Sequence, residues 1–166
     1  MIQEYINYIQ EGSRDNITIE ELPDSDINLL IPIFKRFAKS TNDTSFFNYI
    51  DQPFKERMKE ITDIGHVILV AKDKNKIVGL FVAITRKPPR GLIKMVYIDE
   101  KYRGTGLAEK MFKQIVEWLK SKNRTLIRIG VMGKNKRARA FYKKMGFIED
   151  YISMRNIDSK NIKHGW

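Results

Sequence analysis

A chain of 166 residues with 42% apolar side chains has the size and make-up of one globular domain with one core, not of a disordered segment. It has no cysteine and only two histidines, His66 and His164, which argues against disulfides, thiolate nucleophiles, cysteine-ligated metals and a histidine-rich metal site. The net charge is +11, from 31 Lys and Arg against 20 Asp and Glu.

The excess is concentrated. Between Trp118 and Ile148 lie Lys120, Lys122, Arg124, Arg128, Lys134, Lys136, Arg137, Arg139, Lys143 and Lys144, with no acidic residue among them. Such a field draws polyanions: a nucleic acid, an anionic membrane surface or a phosphorylated cofactor. The bland alternative is a soluble basic surface with no partner. No apolar run is long enough to span a membrane. Met1–Tyr5 lacks the basic start and apolar core of a secretory leader. A cytoplasmic, metal-free protein without a membrane partner is expected.

No internal repeat, low-complexity segment or Gly/Ser-rich linker breaks the chain. Ile2, Tyr5, Ile6 and Ile9 recur at helical spacing, so residues 1–15 are expected to form a helical extension ended near Gly12. The domain is expected over 16–155 and a polar tail over 156–166. Asn16–Glu20 alternates as a strand. Pro23-Asp24-Ser25-Asp26 offers turn and cap residues before an apolar-periodic helix, Ile27–Ala38, which Pro32 should bend. A second, less regular helix is expected over Ser45–Thr62.

Strands His66–Ala71 and Ile77–Ile84 flank a turn at Lys72–Lys76. A third strand, Leu92–Ile98, follows the turn Pro88-Pro89-Arg90-Gly91. Then the period changes: Leu107, Met111, Ile115 and Leu119 recur every four residues, predicting an amphipathic helix over about Gly104–Lys122. A strand over Thr125–Met132, a helix over Asn135–Met145 closed by Gly146, and a last strand over Phe147–Met154 complete the order. This is an α/β fold, a mixed and mostly antiparallel sheet flanked by helices on both faces.

The most informative stretch is Val96-Tyr97-Ile98-Asp99-Glu100-Lys101-Tyr102-Arg103-Gly104-Thr105-Gly106-Leu107-Ala108. A strand ends, a glycine-bearing turn follows and a long helix begins. Backbone N–H groups at the positive end of a helix make an anion site that suits a pyrophosphate. Gly104 and Gly106 let oxygens approach the main chain without a Cβ in the way. Arg103 adds a cation. A dinucleotide fingerprint needs a third glycine where Glu109 stands, and a Walker-type loop needs a Gly-Lys-Ser/Thr that is missing.

Arg103-Gly104-Thr105-Gly106-Leu107-Ala108 resembles the Arg/Gln-x-x-Gly-x-Gly/Ala signature of the GNAT superfamily of acetyl-CoA-dependent N-acetyltransferases. Farther along, Asn135 opening a helix, Tyr142 seven residues on and the ending Lys144-Met145-Gly146-Phe147 resemble that family's second half. The resemblance covers roughly residues 16–154. It implies an N-acetyltransferase that moves an acetyl group from acetyl-CoA, bound as acyl donor without a metal, to a primary amine.

The resemblance also assigns roles. The amides of Arg103, Gly104, Thr105, Gly106, Leu107 and Ala108 would cradle the CoA pyrophosphate. The strand at Val96, Tyr97 and Ile98 would pair with the pantetheine arm, with an N–H near Ile98 polarising the thioester carbonyl. Asn135 would hold a pantetheine amide, and Tyr142 would protonate the departing thiolate. Asn135, Arg139 and Tyr142 share one helix face by spacing. Lys134, Lys136 and Arg137 are candidates for the cofactor's phosphates.

The carboxylate many family members carry beside the thioester is missing from Lys94–Ile98. The base is left among a water chain, Asp99, Asp43, Asp51 and Glu56, with His66 behind them. The acceptor site is expected from the first two helices, which hold Phe46, Phe47, Tyr49 and Phe54, and the turn at Arg86–Arg90. Two rival readings use the same fold: a catalytically silent CoA-binding sensor, and a basic nucleic-acid-binding module. The latter lacks interleaved aromatics, a zinc finger, a basic zipper or an obvious helix-turn-helix. A homodimer is left open.

Overall fold

The computed structural model describes residues 16–41, 59 and 65–150. The helix expected over 1–15, that expected over 45–62 (save residue 59) and the tail over 156–166 lie outside them. So do Asp43, Asp51, Glu56 and the aromatics Phe46, Phe47, Tyr49 and Phe54. The chain divides into two compact units, Met1–Gly130 and Val131–Trp166.

The first unit contains β1 (Ile17–Glu21), a 3-10 helix (Asp24–Leu30), α1 (Ile31–Thr41), β2 (His66–Asp73), β3 (Lys76–Thr85) and β4 (Arg90–Ile98). A 3-10 turn (Glu100–Tyr102), α2 (Leu107–Ser121) and β5 (Leu126–Ile129) follow. The strands form one sheet in the order β1-β2-β3-β4-β5, antiparallel except for the parallel β4–β5 pair, to which α2 is the crossover.

Each face of the sheet carries its own apolar layer. On one, Leu30, Ile33 and Phe34 of the helical segment pack with Ile68, Val70, Leu80, Val82, Ile84 and Tyr97. On the other, Phe81 meets Phe112 edge-on at 6.4 Å, and Met111, Ile115 and Leu119 are fully buried. Here two glycines matter for packing. A Cβ on Gly79 would stand 3.0 Å from the Met111 sulfur, and one on Gly91 would stand 2.8 Å from Leu119. The helix sits that close because those positions are bare.

Several expectations need correction. The periodic segment Ile27–Ala38 is not one bent helix but a 3-10 helix passing into α1 at Ile31. Pro32 therefore lies in the first turn of α1, where its missing N–H deprives no intrahelical bond. The residues Pro23–Asp26 make no side-chain cap; Asp24 instead pairs with His66 Nε2 at 2.8 Å. The Lys72–Lys76 turn contracts, since Asp73 and Lys76 pair directly across it. The strand expected over Thr125–Met132 is only Leu126–Ile129.

In the second unit α3 (Lys136–Lys144) is capped by Asn135, whose Oδ1 accepts from Ala138 N at 3.1 Å. Gly146 closes it at φ 86°, and Phe147 N donates to Tyr142 O at 2.9 Å, the paired closure of a Schellman turn. The last strand is not present over its described part, Phe147–Asp150. Glu149 instead accepts from the Arg139 guanidinium at 2.6 Å and sits 3.3 Å from Lys143 Nζ, which draws the segment back along α3.

Candidate functional site

The geometry of β4 decides what its end can do. Pairing with β3 skips Lys94: Val82 lies opposite Met95 and Ala83 opposite Ile93, so β4 carries a bulge there. Pairing with β5 reaches only Ile93. Past the bulge, β4 pairs with β3 alone among the described strands. Asp99 N donates to Val78 O at 2.8 Å, which makes Asp99 and Val78 a hydrogen-bonded pair. Antiparallel ladders alternate, so Tyr97 and Leu80 are the next such pair. Val96 and Ile98 fall between and turn their N–H and C=O groups away from β3, toward the edge β5 leaves uncovered. Tyr97 gives its main-chain groups to β3, and its ring packs edge-on against Phe37 at 5.6 Å.

Arg103 links this edge to the turn that follows, its Nε donating to Ile98 O at 2.9 Å. That leaves Val96 N–H, Val96 C=O and Ile98 N–H on the edge. The turn itself is held from behind. Tyr102 is buried and its hydroxyl donates to Asp73 on β2; burial first and that bond second raise its pKa. Thr105 Oγ1 donates to Tyr102 O at 2.8 Å.

Gly104 and Gly106 adopt φ values of 78° and 84°, and a Cβ on either would meet nothing within 4 Å. Gly106 is the N-cap of α2 without a side-chain cap bond, and the first N–H to find an acceptor toward it is that of Lys110, at 3.1 Å from Gly106 O. The N–H groups of Gly104, Thr105, Gly106, Leu107 and Ala108 have no protein acceptor among the described residues. A run of unspent donors stands at the positive end of a 15-residue helix with open space on the glycine side, which is the geometry an anion site requires.

Asp99, a candidate base, is buried at 6% exposure. Its Oδ1 takes Arg36 Nε at 2.8 Å and its Oδ2 lies 3.8 Å from Lys76 Nζ. Arg36 Nη2 also donates to Ile77 O at 2.5 Å. Tyr97 has its pKa raised by burial first and by Asp99 second. Asp99 thus pins α1 to the end of β4. Neither this ion pair nor the Tyr102–Asp73 bond was legible in the sequence, because the partners stand 63 and 29 residues apart.

The second unit holds Asn135 and Tyr142. Asn135 uses its Oδ1 on the helix cap, leaving the amide Nδ2 for another partner. Tyr142 is buried, with Phe141 edge-on at 5.6 Å and Phe147 tilted at 6.5 Å, and burial pushes its hydroxyl up to about 12. Arg139, on the same helix face by spacing, is spent on Glu149 and on Gly133 O at 3.1 Å. Lys134, Lys136 and Arg137 are exposed at the start of α3, where the helix dipole disfavours cations.

Residues 34–147 match the family profile described as the acetyltransferase (GNAT) family. An uncharacterised N-acetyltransferase of Methanocaldococcus jannaschii is 30% identical over 57 residues, which are 34% of this chain and 25% of that protein. The chain thus spans a quarter of that relative's length in the match. Among solved structures, a predicted acetyltransferase with acetyl-CoA from Clostridium acetobutylicum superposes with a TM-score of 0.72 at 20% identity, over 88% of this chain and 99% of that one. An acetyltransferase of the GNAT family from Staphylococcus aureus Mu50 gives 0.68 at 23% identity, over 81% and 86%. At these identities the likeness carries the fold, a five-stranded, mostly antiparallel sheet with helices.

Proposed function

The chain belongs to the acetyltransferase (GNAT) family, and on that premise we propose that it moves an acetyl group from acetyl-CoA to a primary amine of a small molecule or a peptide. The observation that carries this reading is the row of unspent N–H groups from Gly104 to Ala108, beside two glycines whose Cβ side is open. A diphosphate needs such a surface: several converging donors, no side chain in the way and a positive helix end. The residues therefore fit the acyl donor.

In this reading Val96 and Ile98 offer their outward main-chain groups to the pantetheine arm as a strand offers them to a neighbour. Ile98 N–H is the donor placed to polarise the thioester carbonyl. Asn135 Nδ2 holds a pantetheine amide, and Lys134, Lys136 and Arg137 take phosphate charge, which would relieve their repulsion from the start of α3. The neutral amine attacks the carbonyl carbon, the carbon–sulfur bond breaks, and the sulfur leaves with its electron pair.

Tyr142 serves the leaving sulfur. A hydroxyl with a pKa of about 12 is protonated throughout the neutral range, so its hydrogen is always in place. Complete transfer to a thiolate of ordinary pKa, about 8.5, would run uphill. Tyr142 therefore acts first as a hydrogen-bond donor to the developing negative charge, and passes its proton only as far as burial raises the sulfur's own affinity for it. Asp99 is engaged by Arg36 and Lys76, and the base is taken from a water chain, Asp99, Asp43, Asp51 or Glu56, with His66 behind them.

Calorimetry with acetyl-CoA followed by a thiol-release screen over amines and peptides tests the proposal. Saturable binding at modest ionic strength and amine-dependent release are expected. No saturable heat would overturn the cradle and the enzyme with it. Binding without release for any amine would leave a sensor.

A further inference from the structure

Between α1 and the end of β4 lies a cleft of about 410 Å³, lined by Arg36, Lys39, Ser40, Tyr97, Glu100 and Arg103. Arg36, Lys39 and Ser40 stand three and four residues apart and so share one stripe of α1. Tyr97 is the buried part of the lining, its ring edge-on to Phe37 at 5.6 Å. Arg36 is spent on Asp99 and on Ile77 O. Arg103 is fixed by its Nε on Ile98 O at 2.9 Å, which leaves its two terminal nitrogens. Those nitrogens, the Lys39 ammonium and the Glu100 carboxylate have no hydrogen-bond or ion-pair partner among the described residues. Burial first and Asp99 second raise the pKa of Tyr97, while the charges of Arg36 and Arg103 lower it, so both guanidinium groups stand close enough to the phenol to be felt there.

The cleft stands beside the reacting edge and on its open face. Ile98, whose carbonyl holds Arg103, is the residue whose N–H is aimed at the thioester, and Tyr97 precedes it in the strand. On the α2 face this level of the sheet is filled: a Cβ on Gly79 would meet Ile98 Cδ1 at 2.8 Å and the Met111 sulfur at 3.0 Å. An acceptor therefore approaches the edge from the α1 face, through the cleft. Its chemistry follows from what the cleft leaves unpaired. Two cations, Lys39 and Arg103, are complementary to an oxyanion, and one carboxylate, Glu100, is complementary to an amine. A molecule with a single positive charge would satisfy Glu100 and leave both cations facing it.

We propose that the acceptor is an amine that also carries an oxyanion, a carboxylate or a phosphate, and that Lys39 and Arg103 in this cleft hold that oxyanion while the amine lies at the β4 edge. The Arg103 terminal nitrogens donate to the oxyanion, Lys39 adds a mobile charge from α1, and Glu100 draws the amine end. Polyamines and other polycations are disfavoured by the same two cations. The inference rests on the acetyl-transfer reading and names the class of substrate for it.

The test sets matched amines against each other in the thiol-release assay at saturating acetyl-CoA: β-alanine against β-alaninamide, and O-phosphoethanolamine against ethanolamine. In at least one pair the acidic member should be used about ten- to a hundred-fold better in kcat/KM, with the difference carried by KM. Lys39→Gln should remove about threefold to tenfold of that advantage and Lys39→Glu should reverse it. Lys35→Gln, which deletes the same charge from an exposed position of α1 outside the cleft, should leave the advantage intact. Lys39 is exposed, so these variants should keep the melting temperature and the acetyl-CoA affinity of the unaltered chain. A second readout needs no turnover: the CoA-saturated chain should bind β-alanine or O-phosphoethanolamine saturably by calorimetry, and Lys39→Glu should abolish that heat. Equal use of both members in each pair, equal effects of Lys39→Gln and Lys35→Gln, or no binding of either acid to the CoA-loaded chain would each overturn the proposal while leaving acetyl transfer to other amines standing. Absence of acetyl-CoA binding, which calorimetry reads separately, would take down the acetyl-transfer reading first and this inference with it.

Discussion

Gly106 holds φ at 84° with nothing within 4 Å of where a Cβ would stand. A side chain there meets no protein atom, so Gly106→Val costs the fold only the strain of a left-handed backbone, roughly 1–2 kcal/mol. It would nevertheless fill the space in front of the Leu107 and Ala108 amides. The expected outcome is loss of acetyl-CoA binding by calorimetry with a melting temperature lowered by only a few degrees; undiminished affinity would disprove the cradle. Tyr142 separates function from stability in another way. Tyr142→Phe removes a hydrogen bond made to charge that develops only as sulfur leaves, so turnover should fall about ten- to a hundred-fold while acetyl-CoA affinity stays. Equal loss of both would take Tyr142 out of that role. Because its folded pKa is raised from 10.0 to about 12, the folded state holds the proton more tightly. Stability from this group is whole below pH 10 and declines as pH rises through about 12, by roughly 3 kcal/mol. The wild-type chain should lose stability over that alkaline window, and Tyr142→Phe should flatten the decline.

The elements show where sequence periodicity informs and where it stops. The β-branched, continuously apolar runs of β2 and β3 and the four-residue repeat of α2 were legible because the strands are buried on both faces and the helix on one, and burial leaves a pattern. Gly104 and Gly106 announced the turn because a chain with φ near +80° tolerates little else. The bulge at Lys94 left no such trace, since it is a difference of register between two strands rather than a property of one. Over the described part of the strand expected at Phe147–Met154, which is Phe147–Asp150, Glu149 is claimed by Arg139 and Lys143, and charges on one helix are invisible to a pattern read along the next segment. The same holds for Arg36. It sits in α1 as one more basic residue until Asp99, 63 residues on, is found at 2.8 Å. That pair binds α1 to the end of β4, so Asp99→Asn should leave the Arg36 guanidinium facing a neutral amide and lower the unfolding free energy by roughly 1–3 kcal/mol. Denaturant unfolding measures this, and a change within error would show that the pair adds nothing to the join.

Taken over the whole chain, the charge of +11 was legible as a number, but its use was not. The structure sorts it. Arg139 and Lys143 are spent on Glu149, Arg36 and Lys76 on Asp99, and Lys72 on Glu20. Lys134, Lys136 and Arg137 stand exposed at the start of α3 without an acidic residue in its first turn. If they serve the phosphates of the acyl donor, binding must weaken as salt screens them, because the Debye length shrinks from about 30 Å at 0.01 M to about 3 Å at 1 M. Main-chain donors at the Arg103 turn grip at contact distance and are screened far less. The two contributions therefore separate: the dissociation constant for acetyl-CoA should rise with ionic strength, and the triple change Lys134→Gln, Lys136→Gln and Arg137→Gln should flatten that rise while leaving residual, salt-insensitive binding. Dephosphorylated CoA, which lacks the 3′-phosphate, should show the same flattened response with the unaltered chain. A salt dependence untouched by the triple change would move the phosphate contacts to other cations, and a residual affinity of zero would mean that the turn contributes no grip of its own.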